Sequence, residues 1–482
     1  MSTASYFKAA NLRTLRQVAM AVLVAAVFAS LFIVKNVELL FGFIAILAAC
    51  SLPFFSWARH GAVSIPILPA VALVYILNYA VPVLTGNFEN YTPYEVMRGA
   101  LTVALFLLMA FLSWRMLVFA RPLERLSVDR GLTLDSTLLR SIFCALLMGL
   151  VFNAGNILNS WGWLGTWSGT FKSFGITATS GGCYLFGIAL GRRNLSMAQR
   201  YLGYALVSSV ILMEITTLFM NMAITYLLAI FLGYVTSAYR LPWLALSIGL
   251  AVASILNLGK GDMRSQYWIS GTEDLKEISI LEAPSLIANW LELGIERLAS
   301  GNNEGEQTFI DRASQLSTLL LAQQQTPENI AFLDGETYAN FSRMLIPRFL
   351  SPGKITSQDN LNLLSVHYGL QTDLDTRTTT LAWGMVPEAY ANFGYTGIIL
   401  AGLAFGLLIG GLTWLTAGAP PISLRGLVGI SSLVTIVSST GYDFSYSLLN
   451  LVQSIISILI FYGVINMFSP PSEQYSDRVV RA

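Results

Sequence analysis

LGYALVSSVILMEITTLFMNMAITYLLAIFLGYVTSA, residues 202–238, is one apolar stretch whose single charged side chain is Glu214. A membrane-crossing helix takes about 20 mostly apolar residues, so this run is too long for one span and reads as two, divided near Phe219–Met222. Working outward, similar runs occupy 17–34, 39–57, 64–84, 99–119, 138–158, 173–191 and 241–258 on one side or the other of it, and 396–416, 424–441 and 445–467 beyond. The expectation is an all-α polytopic membrane protein of about 12 transmembrane helices. The first run follows a basic start (Lys8, Arg13, Arg16), lacks a small-residue cleavage site and leads directly into the next, so it reads as a mature helix rather than a signal peptide.

Composition agrees. Hydrophobic residues make up 55% of the chain and charged residues 11%, where a soluble domain carries roughly 25% charged side chains. The excess apolar surface has to face lipid. A formal net charge of +1 supplies no electrostatic footprint for nucleic acid. Cys50, Cys144 and Cys183 lie in apolar runs, which predicts small core residues rather than a disulfide framework. His60 and His367 are too few and too far apart to suggest a zinc site, and no metal or other cofactor is expected.

Arginines and lysines crowd alternate loops: Arg59, Arg121, Arg125, Arg130, Arg192, Arg193, Arg240 and Arg425 fall on one side, against Lys35, Arg98 and Lys172 in short loops on the other. The positive-inside bias then predicts cytoplasmic termini and an extracytoplasmic segment from about Gly259 to Thr380. The expected organisation is a membrane bundle of about nine spans over 1–258, a cap over 259–382, a bundle of about three spans over 383–467 and a tail over 468–482. Within the cap, Ile280, Leu281, Leu286, Ile287, Trp290, Leu291, Ile295 and Leu298 recur at helical spacing, and a second helix is expected from about Gln307 to Gln324.

Four clusters in and beside the cap carry chemistry-bearing residues. Gly259-Lys260-Gly261-Asp262-Met263-Arg264 lacks the spacing of a phosphate-binding Walker loop; it reads as a flexible turn that holds Lys260 and Arg264 at the lipid–water boundary. Arginine there can grip phosphate with two N–H groups at once, and the plainer reading is snorkelling to headgroups. Asp334-Gly335-Glu336-Thr337-Tyr338 is followed by Arg343, Ile346-Pro347-Arg348 and Pro352-Gly353-Lys354, where the prolines favour an extended, rigid loop. His367, Tyr368, Asp373, Asp375 and Arg377 form the third cluster. In the fourth, Pro387-Glu388-Ala389-Tyr390-Ala391-Asn392-Phe393-Gly394 opens the tenth span, with Glu388 and Asn392 four apart on one helix face. A carboxylate at that depth is costly without a partner or a task, unless it merely serves the helix start.

Gly259–Arg264, Gly335–Tyr338, Ile346–Arg348, Pro352–Lys354 and Pro387–Gly394, in that order, resemble the motifs of bacterial oligosaccharide repeat-unit polymerases, the O-antigen polymerase (Wzy-type) family. The likeness covers about residues 255–415, and Pro352-Gly353-Lys354 departs from the Lys-Pro order common in that family. The resemblance implies a GT-C-like glycosyltransferase in the bacterial cytoplasmic membrane. It would join undecaprenyl-diphosphate-linked oligosaccharide donor and acceptor on the outer side, into O-antigen or exopolysaccharide. On that expectation Glu388 is the first candidate base and His367 the second, with Arg348 also catalytic. Lys260, Arg264, Tyr338, Arg343, Lys354, Arg377 and Asn392 would bind diphosphate or sugar. Membrane lipids, a chain-length regulator and other envelope polysaccharide proteins are the candidate partners. The alternatives are a lipid-linked glycan ligase, a transporter or flippase, and a non-catalytic assembly subunit; concentration of charge in one asymmetric segment disfavours a transporter built from repeated halves.

Overall fold

The structure, a computed structural model, describes residues 9–468 apart from 63, 86–87, 89, 120–130, 133, 159, 219, 239, 268–281, 301–313, 347–349, 352–353 and 378–379. Regular structure among these residues is entirely helical. Among the described residues nine helices are long and apolar enough to cross a membrane, and a tenth candidate is the pair Trp243–Leu258 and Lys260–Tyr267, bent by 49°. The remaining two expected spans are also helical, as Met197–Thr216 and the shorter Leu424–Ser439. The chain is an all-α, multi-pass membrane protein.

Several boundaries differ from the sequence reading for identifiable reasons. The 202–238 run breaks at Thr217–Leu218, where Leu218 takes φ 57°, a left-handed turn. The helix expected from 99 starts at Pro93, because Thr92 and Glu95 cap it reciprocally: the Thr92 N–H donates to Glu95 at 2.7 Å and the Glu95 N–H to Thr92 at 3.3 Å. Arg98, assigned to a loop from sequence, therefore lies on that helix and donates to the Gln323 carbonyl at 3.2 Å. The helix expected over 307–324 is Leu316–Gln325 among the described residues.

The chain forms two compact units that interleave along the sequence. The first comprises Met1–Val128, Ile310–Ala419 and Thr435–Val452. Its axis is the long helix Met385–Thr416 packed on Pro93–Phe119. Lipid tails are as apolar as leucine, so such helices associate through close packing, for which small residues are needed. Gly402 approaches the Phe106 carbonyl so nearly that a Cβ would stand 2.7 Å from it, and Gly406 sits more tightly still against Ala110 and Ser113. Phe106 stacks on Phe405 at 6.0 Å, and the Trp114 indole donates to Thr413 at 3.1 Å.

The second unit comprises Asp129–Phe309, Pro420–Val434 and Gln453–Ala482. Glycines again set its central contact: Gly187 meets Ile230, and Gly233 meets Tyr184, across helices Ser168–Gly191 and Met220–Ala238. Helix Ala283–Ser300 buries Leu286 and Trp290 beside Leu256 and Met263, while Ile295 and Leu298 stay exposed. Its apolar stripe is thus narrower than the sequence spacing suggests.

Candidate functional site

In the first unit, the long helix begins at Met385 after Gly384, whose φ of 81° is open to glycine. Residues 385–392 are buried without interruption, and the helix then breaks at Phe393 and Gly394 (φ 59°, ψ −140°). A break frees carbonyls from the helical ladder, and the Ala391 carbonyl here accepts the Leu333 N–H at 3.0 Å. That bond draws the Asp334–Gly335 turn onto the broken helix. Asp334 and Gly335 both take positive φ, 46° and 92°, which starts helix Glu336–Met344 directly above Asn392.

Asn392 ties these pieces together. Its carbonyl oxygen accepts the Gly335 N–H at 3.0 Å, and its amide donates to Thr337 Oγ1 at 2.9 Å and the Glu388 carbonyl at 2.8 Å. Tyr338 stacks on Phe393 at 6.3 Å and meets Phe444 edge-on at 6.1 Å. The Thr337 carbonyl accepts from Asn360 at 2.8 Å and from Ser445 at 3.1 Å, and Asn340 donates to Asn360 at 2.9 Å. Glu388, Asn392 and Tyr338, named from sequence, are therefore brought together.

A second carboxyl, Asp443, was missed. Glu388 Oε2 accepts the Phe444 N–H at 2.7 Å, and Asp443 Oδ1 accepts the Tyr446 N–H at 2.7 Å. Both acids thus sit on the N-terminus of helix Phe444–Phe468, where free N–H groups and the helix dipole favour negative charge. Both are fully buried, and each has a second oxygen, Glu388 Oε1 and Asp443 Oδ2, without a hydrogen-bond partner. The Tyr338 hydroxyl is likewise buried and unpartnered. Burial pushes Asp443 up to about 7. Tyr338 is held well above the ordinary phenol range by burial first, then by the charges of Glu388 and Asp443. The signal for Asp443 was available: from Leu424 to Phe468 the chain has only two charged side chains, Arg425 and Asp443. Asp443 precedes an apolar run as an ordinary helix cap would, which hides any other role.

The other sequence candidates are placed differently. Arg343 and Arg377 belong to the same unit and are exposed, Arg343 on helix Glu336–Met344 and Arg377 at the end of the turn Asp375–Arg377. Lys354 donates to the carbonyls of Met344 and Ile346 at 2.7 and 2.8 Å, closing the end of that helix. His367 Nε2 lies 3.0 Å from the Ala331 carbonyl; as the donor in that bond it leaves Nδ1 as the basic nitrogen. Arg348 lies outside the described residues.

Lys260 and Arg264 belong to the second unit. The flexible turn expected there is instead helical over Lys260–Tyr267. It is fixed because Asp262 forms a two-pronged ion pair with Arg297 at 2.6 and 2.8 Å, and Arg264 donates to the Leu218 carbonyl at 3.4 Å. Glu214, in the same unit, is partly buried on helix Met197–Thr216. Set against known proteins, the chain matches no family model, no curated protein and no solved structure.

Proposed function

We propose that this protein polymerises undecaprenyl-diphosphate-linked oligosaccharide repeat units by glycosyl transfer on the outer side of the bacterial cytoplasmic membrane, within a GT-C-like architecture. The observation that carries the reading is the meeting of two of the motifs, Gly335–Tyr338 and Pro387–Gly394, around a buried carboxyl with an unpartnered oxygen. Buried polar groups are nearly always satisfied, so an exception asks for an explanation, and a catalytic role is one.

In the reaction an acceptor sugar hydroxyl attacks the donor's anomeric carbon. The bond from that carbon to phosphate breaks, undecaprenyl diphosphate leaves with the electron pair, and the hydroxyl proton passes to a base. Glu388 lies too deep to meet a sugar directly, since it is fully buried beneath Thr337 and Tyr338. Proton transfer to it runs through the Tyr338 hydroxyl, whose ring is partly exposed while its oxygen faces the carboxyls. Arg343 and Arg377, with Arg348, are the cations assigned to the leaving diphosphate.

Membrane vesicles supplied with purified lipid-diphosphate repeat units test this. Wild type is expected to build a ladder of longer lipid-linked glycans, and Glu388→Gln, present in equal amount, is not. A second reading has one specific observation in its favour. An acid pair beside a broken helix is also how a proton-coupled transporter is built. Vesicles in which wild type forms no ladder but moves the lipid-linked glycan across the membrane would establish that reading instead.

A further inference from the structure

We propose that Glu388 and Asp443 hold a single proton between them, and that Asp443 is the positioning residue that sets the pH range over which Glu388 takes up the acceptor's proton. The shared proton stands on the burial and hydrogen bonding of the two acids; its role in the reaction rests on the polymerase reading above.

The argument begins with charge. Two carboxylates buried together cannot both remain ionised without a cation, because desolvation and mutual repulsion act in the same direction. Glu388 and Asp443 are both fully buried, and Glu388 Oε2 accepts the N–H of Phe444, the residue next to Asp443. The groups facing the pair come from every neighbouring element: Thr337 and Tyr338 from helix Glu336–Met344, Asn360 from Ser357–His367, and Ser445 and Tyr446 from Phe444–Phe468. The titratable ones are tyrosines. Neither carboxyl receives a hydrogen bond from lysine, arginine or histidine among the described residues.

Hydrogen bonding completes the case. Each acid uses one oxygen on an N–H at the start of the same helix, whose N-terminus supplies only about half a positive charge, too little to hold two carboxylates ionised. Three buried oxygens are then left over: Glu388 Oε1, Asp443 Oδ2 and Tyr338 Oη. Two protons, one shared by the carboxyls and one on the phenol, are what three such oxygens need. A bound metal cation would instead need a shell of free ligands. The adjacent groups are already engaged: the Thr337 carbonyl accepts twice, and Asn360 and Asn392 use both ends of their amides. When the acceptor hydroxyl gives up its proton through Tyr338, the pair goes from one proton to two and from one negative charge to none.

Two measurements on the full chain in lipid nanodiscs or vesicles test this. The first is the infrared carbonyl band of protonated carboxyls at neutral pH, in water and in heavy water. Wild type should show a deuterium-sensitive band that is absent from Glu388→Gln/Asp443→Asn and diminished in either single variant. Both substitutions keep an oxygen for the helix N–H, so folding has its best chance; if the double variant does not accumulate, the single variants decide. No such band in wild type, an equal band in the variants, or a band that appears only when sodium and potassium are withdrawn would overturn the shared proton. The second is the pH profile of ladder formation. Asp443→Asn takes away the acid whose proton stabilises the singly charged pair, and should move the acid limb up by a measurable fraction of a pH unit. An unmoved limb would reduce Asp443 to a helix cap. Absence of a ladder from wild type at every pH would defeat the polymerase reading while the infrared result still decides the proton.

Discussion

Two regions looked alike in sequence and differ in how their charges are satisfied. The Lys260–Arg264 turn and the Pro387–Gly394 stretch each set polar residues at the end of an apolar helix, and each was a candidate part of the site, the first for binding the diphosphate and the second for supplying the base. In the first, Asp262 is paired with Arg297 and Arg264 is tied to a carbonyl. In the second, Glu388, Asp443 and Tyr338 all keep a buried oxygen unpartnered. A satisfied charge has its role explained by the fold, whereas a buried, unsatisfied one costs free energy that packing alone has no reason to spend.

The strongest way to break this contrast is to neutralise Glu388. Proton transfer by a placed base is worth roughly 100- to 10,000-fold, so Glu388→Gln should cut ladder formation at least about 100-fold while its level in the membrane is unchanged. Asp262→Asn should do the reverse, lowering heat stability with little change in turnover per folded molecule. Similar activity losses from both would show that pairing does not mark function here.

Asn392→Ala probes the scaffold rather than the acid. It strips partners from the Gly335 N–H and Thr337 Oγ1, and an abandoned buried polar group costs about 1–3 kcal/mol. The expected result is a melting temperature lower by several degrees in detergent, together with lost activity. Asn392→Asp, which keeps the acceptor for Gly335, should recover part of the stability while placing another charge beside Glu388.

Acid titration sharpens the contrast from another direction. Asp443 titrates near 7 in the fold instead of 3.8, so between these values the folded protein binds a proton that the unfolded chain has released. The stabilisation is fully present below pH 3.8 and is lost as pH rises through about 7. Melting followed across that window should therefore show a decline with rising pH from this group, and Asp443→Asn should flatten it. A variant with the wild-type slope would place the proton elsewhere.

Apolar length made the helices legible, and the one internal break of the 202–238 run came within a residue or two of where span length required it. The capped start at Pro93 was less visible, since Thr92 and Glu95 read as loop polarity until their reciprocal bonds are seen. In the site, Glu388 and Asn392 were readable because i, i+4 spacing is local. Tyr338 was named for its motif, but its stacking on Phe393 depends on a helix break that nothing in Asn392-Phe393-Gly394 requires. Asp443 was lost because its partner lies 55 residues earlier in the chain, from Glu388 to Asp443, and a lone aspartate before an apolar run already has a sufficient explanation as a cap.

The smallest expected effect is the ion pair itself. Arg297 and Asp262 are 31% and 23% exposed, so solvent screens much of their attraction, and a pair of this kind contributes about 1 kcal/mol or less even with two-pronged geometry. Asp262→Asn, Arg297→Gln and the double variant form a cycle whose coupling, read from melting in detergent, should be of that order and should shrink as salt is raised. The same cycle read in ladder formation should show no coupling, because neither residue is assigned to the chemistry. A coupling larger in activity than in stability would give the Lys260–Tyr267 helix a part in handling the lipid diphosphate, and the contrast between the two regions would then lie in their ligands rather than in structure against function.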